Sequence, residues 1–110
     1  MSYVRELSLA LDSGHRTVAV VLSDPREDRG SWFCHYEIGW PEGPSSGDVG
    51  GADALQALYL AMEAVALSIY SSPHHKAGRL YWYHPGGGYG FPMPKAGRDA
   101  LVGQDRASQL

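Results

Sequence analysis

The stretch Ala52–Ser72 (ADALQALYLAMEAVALSIYSS) constrains the fold of this chain more than any other part of it. Leu55, Leu58, Tyr59, Met62, Val65, Ala66 and Ile69 recur at the three-and-four spacing of a helix that buries one stripe. A helix of about 20 residues is about 30 Å long. Asp53 is placed to cap its first turn, and Gln56, three residues on, to reach back to the cap's backbone N–H. The stripe therefore predicts a core helix. Beside it Ala57, Ala61, Ala64 and Ser68 form a ridge of small residues that lets another backbone approach closely. Leu60 and Leu67 fall on the polar side with Gln56, Glu63 and Tyr70, a hint of an interface.

The same stretch approaches the length of a membrane span, because Ala52–Tyr70 carries only Asp53 and Glu63 as charges. Glu63 and Gln56, however, sort to the side away from the stripe, and neither end carries an adjacent basic anchor. That sorting belongs to a soluble core helix, so no membrane association is expected. With 110 residues, 44% hydrophobic and 19% charged, the chain fits one globular domain. A net charge of −3 offers no basic stripe for nucleic acid. Cys34 is alone, which excludes a disulfide framework and a cysteine zinc site. Arg5, Glu6, Asp12 and Arg16 interrupt any apolar signal-peptide core, and a cytoplasmic location is expected.

Alternation before the helix predicts three strands, Tyr3–Leu11, Arg16–Leu22 and Ser31–Trp40. Asp12-Ser13-Gly14 is read as a three-residue hairpin loop with Gly14 in the left-handed position, and Ser23–Gly30 as a charged turn. The 14 glycines and seven prolines concentrate in the runs 39–51 and 85–97, which are read as irregular loops. Pro73 ends the helix, and Arg79–His84 is a short aromatic strand. The expected fold is thus α+β, in the order β-β-β-α-β. An antiparallel meander carries one long helix packed on one face, and a right-handed crossover brings the last strand back parallel to the first or third. Residues 1–94 are expected to be the single domain and 95–110 a peripheral tail. The uncovered sheet face would carry Thr17, Ala19, Val21, Phe33, Tyr81 and Tyr83.

Motifs for chemistry are weak. Gly86-Gly87-Gly88-Tyr89-Gly90 follows a strand, but Phe91-Pro92-Met93-Pro94 follows it where a phosphate loop needs a helix N-terminus. His74 and His75 are adjacent, His84 is distant, and no ligand set has metal-site spacing. Cys34 lies on the apolar face of its strand, as an inert buried thiol would. We therefore expect no catalytic residue, cofactor or metal. What remains is aromatic surface. Phe33, Trp40, Tyr81, Tyr83, Tyr89 and Phe91 are the candidate partner-binding residues, since aromatic side chains dominate interface hot spots. The alternative is that the loops or the tail fold over them as a second small core.

Asp53-Ala54-Leu55-Gln56-Ala57-Leu58, the upstream Trp32-Phe33-Cys34 and the closing Gly90-Phe91-Pro92 resemble a family of small bacterial proteins of unknown function. The resemblance spans roughly residues 5–94. It implies a fold and a bacterial origin and brings no catalytic residues. Small bacterial domains of this kind include immunity proteins of toxin systems, by an analogy of class. The leading expectation is a non-enzymatic protein that binds another protein, with immunity to a toxin by steric occlusion as its particular form. Glu37, Glu42 and Asp48 would help if the partner is basic. The alternatives are a small enzyme or ligand binder with a site under the Pro85–Pro94 loop, and a homodimer formed through the open sheet face or Leu60 and Leu67.

Overall fold

Period-two alternation builds the sheet. In β1 (Ser2–Leu11) Leu7 and Leu9 are buried while Glu6 and Ser8 are not, and in β2 (Gly14–Ser23) Val18, Val20 and Leu22 are buried while Thr17 is exposed. The computed structural model, which describes residues 1–109, places these strands in an antiparallel ladder from Ser2↔Ser23 to Leu11↔Gly14. The turn between them is therefore Asp12-Ser13, one residue shorter than expected, and Gly14 pairs across it at a φ of +138°.

The charged segment after β2 is more structured than a turn. β3 (Arg26–Asp28) and β2 both pair with β4 (Ser31–Ile38), and the register slips by one residue between Leu22↔Tyr36 and Arg26↔Phe33. This is a bulge, and it bends one nearly continuous strand. Ser23 stitches it, its hydroxyl accepting the His35 N–H at 3.1 Å while its carbonyl accepts the Cys34 thiol at 3.3 Å. Arg29 and Gly30 close the β3–β4 hairpin with φ of 54° and 84°, the two positive values that a type I′ turn requires.

The first glycine-rich run departs most from expectation. Residues Ser45–Gly51 form a strand, β5, antiparallel to β4 along its whole length. The pairing has a steric logic: Trp32, Phe33 and Tyr36 of β4 stand opposite Gly51, Gly50 and Gly47. A Cβ on Gly47 would come within 2.9 Å of the Tyr36 ring. The Tyr36 and Phe33 rings cover Gly47 and Gly50 in place of the side chains they lack.

This extra strand reverses the chain before the helix and so corrects the topology. β6 (Leu80–Tyr81) runs antiparallel to β1 through Ser8↔Tyr81 and Leu9↔Leu80, where parallel pairing was expected. Across the six-stranded sheet the order is β5-β4-β2-β1-β6, with β3 continuing β2 along the same side of β4. The aromatic strand stops early because Tyr83, at a φ of +65°, is the centre of a γ-turn in which His84 N–H donates to the Trp82 carbonyl at 2.8 Å.

The helix α1 (Ala54–Ser71) begins at the predicted cap, where Gln56 N–H donates to Asp53 Oδ1 at 2.8 Å; the Gln56 Oε1 reaches one residue further back than expected and accepts from Ala52 N–H at 2.6 Å. Its orientation is rotated from expectation. Ala57 and Ala61 of the small-residue ridge are fully buried together with Val65 and Ile69 of the stripe, while Ala64 and Ser68 are half-buried. Leu55 is 75% and Tyr59 44% exposed, and Leu58 and Met62 are half-buried. Close approach is the cause: a Cβ on Gly51 would lie 2.4 Å from the Ala57 nitrogen, so strand and helix touch backbone to backbone and the larger side chains swing to the flank. By length and composition α1 is apolar enough to cross a membrane; here its ridge is packed against a sheet.

After the short helix α2 (Pro73–Lys76), the segment from His84 to Pro94, a 3-10 turn (Lys95–Ala100) and α3 (Gly103–Gln109) complete the helix layer. Among the described residues none forms a layer on the other sheet face, and the molecule measures 47 × 31 × 19 Å. The tail is not peripheral: Leu101 and Asp105 are 3% and 2% exposed.

We predict that Gly51→Ala lowers the unfolding free energy by about 1–3 kcal/mol, because the β5–α1 contact must open. Asp53→Ala should lose about 1 kcal/mol with the cap. Urea titration measures both.

Candidate functional site

The second glycine-rich loop is held from both ends of the chain. Asp105 on α3 accepts the Tyr89 N–H at Oδ2 and the Gly90 N–H at Oδ1, both at 2.7 Å. Arg5 on β1 donates from one guanidinium nitrogen to the Tyr89 and Gly90 carbonyls, each at 3.1 Å. Two charged side chains thus satisfy every backbone polar group of one dipeptide, as a neighbouring strand would. Only glycine permits the approach: at Gly88 and Gly90, with φ of +87° and +78°, a Cβ would fall 2.6 Å from the Asp105 carboxyl and the Trp82 ring respectively. The Arg5 guanidinium is stacked between Trp82, at 4.0 Å, and Phe91, at 4.7 Å. Burial lowers its pKa from the usual value.

Around the carboxylate lies a cluster of rings. The Tyr70 hydroxyl donates to Asp105 Oδ2 at 2.6 Å, and the Tyr70, His75 and Tyr89 rings meet edge to face with centroids 4.6–5.4 Å apart. The Tyr89 hydroxyl is 3.1 Å from the Leu80 carbonyl, to which it donates, and 2.5 Å from His75 Nδ1, which is then the donor in that contact. Burial, and after it the Asp105 bond, raises the Tyr70 pKa above the phenol range. Burial pushes Tyr89 up to about 12. Burial also lowers the pKa of His75, which favours the neutral ring. A hollow of about 120 Å³ beside His75 is lined by Leu80, Tyr81, Gly86, Gly88, Tyr89 and Val102. With its carboxylate accepting three donors, this constellation is a lock on the loop and the tail.

The six aromatic candidates separate. Trp40, Tyr89 and Phe91 are 8%, 3% and 4% exposed and belong to the core, which corrects their reading as surface anchors. Trp40 stacks on His74, centroids 5.3 Å apart, and His74 in turn donates to Glu42 at 2.8 Å, holding that carboxyl below its usual range. Phe33 and Tyr81 are half-buried on the uncovered sheet face, and Tyr83 is 83% exposed at its γ-turn. Cys34 is fully buried, and burial raises its thiol pKa. His84 is exposed with its ring over Gly87. Among the described residues no three His, Cys, Asp or Glu side chains converge as a metal site.

The bare apolar surface lies on the helix side. In the second half of α1, Ala66, Ile69 and Tyr70 are buried, with Met93 and Leu101 in the same core. In the first half the same angular sector, Leu55, Leu58, Tyr59 and Met62, lacks that cover. Leu58 and Met62 form a ridge between two hollows. One, of about 210 Å³, is lined by Tyr3, Val4, Arg5, Leu22, Gly90 and Phe91; the other, of about 480 Å³, by Asp53, Leu55, Gln56 and Tyr59. Tyr3 and Val4 are 48% and 60% exposed.

An α+β domain with this locked loop is matched over residues 3–93 by the family model described as "Domain of unknown function (DUF6968)". The chain belongs to that family. No curated protein and no solved structure matches it.

We predict that Asp105→Ala, which leaves two N–H groups and a hydroxyl without their acceptor, lowers stability by about 2–4 kcal/mol in denaturant titration. The lowered His75 pKa sets a pH dependence. The unfolded chain binds a proton that the folded one resists, so stability is highest above the ordinary imidazole range and falls as pH drops through it. Melting curves from pH 8 down to about pH 5 should show this loss, and His75→Phe should flatten it.

Proposed function

We propose that this protein acts by binding another protein and carries out no chemistry of its own. The observation that supports this reading is the uncovered sector of α1 with the start of β1. A folded monomer has reason to bury Leu55, Leu58, Tyr59 and Met62, and here they open onto hollows together with Tyr3 and Val4. The polar groups of the loop support the same reading from the other direction. Asp105, Tyr70 and Tyr89 direct their polar atoms at one another or at backbone, and His75 uses Nδ1 on Tyr89. These are contacts that fix a structure.

A second form of the reading is toxin immunity, as in small bacterial proteins that occlude an effector. It would use the uncovered sheet face, where Phe33 and Tyr81 share a surface with the acidic Glu37 and Asp48, a pattern that suits a basic partner.

The test is photo-cross-linking in cells of the source organism, with benzoylphenylalanine placed at position 59, at 81, and at the exposed hairpin residue Ser13 as control. The helix-side reading predicts a discrete adduct from position 59 and none from 13. An adduct from 81 alone would move the binding surface to the sheet face. No adduct from either position would contradict a protein-binding role.

A further inference from the structure

We infer that the occupant of the bare α1 sector is a second copy of this chain, seated by two-fold pairing of the first halves of the two helices. The inference rests on the protein-binding role and names its partner. Three observations carry it. The first is shape. Leu58 and Met62 stand as a ridge with a hollow on each side, one against Tyr3, Val4 and Phe91, the other against Leu55 and Tyr59. A surface that holds both a ridge and its matching hollow is complementary to itself under a two-fold axis, which is what an isologous contact demands.

The second observation is spacing. Leu55, Leu58 or Tyr59, and Met62 follow the three-four repeat of a helix-pairing seam. Run antiparallel, Leu55 of one copy meets Met62 of the other, and Leu58 meets Tyr59 across the axis.

The third is charge. Among the described residues, the charged side chains lining the two hollows are Arg5 and Asp53, and both are engaged inside the chain. Arg5 donates to the Tyr89 and Gly90 carbonyls between two aromatic rings, and Asp53 caps the helix. A copy of this face therefore meets no like charge. A partner recognised through ionic contacts would find no free counter-charge in these two hollows; Arg98, which lines a third hollow beside Tyr59, gives its Nε to the Met93 carbonyl.

Sedimentation equilibrium of the purified chain tests this directly. A reversible monomer–dimer equilibrium is expected. Leu55→Asp/Tyr59→Asp should weaken it by about tenfold or more, with the circular dichroism of the fold retained because both side chains are largely exposed. Tyr59→Ala is the milder second variant and should weaken it less. Tyr81→Asp, on the opposite sheet face, should leave it unchanged. A chain that stays monomeric at every concentration, or a dimer indifferent to the Leu55 and Tyr59 substitutions, would overturn the inference. So would a monomer that floats with phosphatidylcholine–phosphatidylglycerol vesicles, which would assign the sector to a membrane. A monomer that still cross-links from position 59 to a different protein would sink the second copy and leave the protein-binding role standing. A monomer with no adduct would sink both.

Discussion

The contact of Asp105 and Arg5 with the Tyr89–Gly90 dipeptide is the constraint on which the second layer depends. A one-sided sheet of six strands is wider than one helix can cover, and α1 lies toward the β4–β5 end. The remainder must be covered by a loop rich in glycine, which has few side chains with which to hold itself. The carboxylate supplies acceptors for the two N–H groups and the guanidinium supplies donors for the two carbonyls. Hydrogen bonds to charged groups contribute about 1.5–3 kcal/mol each, roughly twice a neutral bond. Phe91, Met93 and Leu101 are then carried onto the core beside Ile69 and Tyr70.

Much of the architecture was legible in the sequence. Alternation located β1, β2 and β4, three-and-four spacing located α1, and Asp53 with Gln56 located its first turn. β5 was hidden because its information lies in another strand: Gly47, Gly50 and Gly51 read as loop residues until they are set opposite Tyr36, Phe33 and Trp32. Missing that strand also inverted the direction of β6. The roll of α1 was misread for a related reason. Apolar spacing favours the largest side chains as the buried stripe, whereas the approach of Gly51 to Ala57 makes the alanine ridge the buried side and leaves Leu55 and Tyr59 outside.

The aromatic candidates were half legible. Their enrichment near the loop was visible, but whether a ring is an anchor or part of a core depends on what folds over it. For Tyr89 and Phe91 the cover comes from Asp105 and Arg5, 16 residues after Tyr89 and 85 before Gly90. One signal pointed there. Arg5 sits in register with Leu7 and Leu9 on the buried face of β1, and a cation in that position needs acceptors close by. Nothing around Asp105, in a short polar stretch, distinguished it from the exposed acids.

The two halves of α1 give the molecule its character. The second half is roofed by the loop and tail; the first presents the same sector unroofed, with a ridge between two hollows whose charged lining residues, Arg5 and Asp53, are engaged within the chain. Methionine methyl groups report on each half separately, Met62 in the bare sector and Met93, 1% exposed, under the roof. Methyl resonances recorded over a dilution series measure whether the bare half acquires a cover in solution. With two copies pairing through the bare half, the Met62 methyl shifts with protein concentration while Met93 stays fixed. A Met62 methyl that does not move, or one that moves together with Met93, would contradict that pairing.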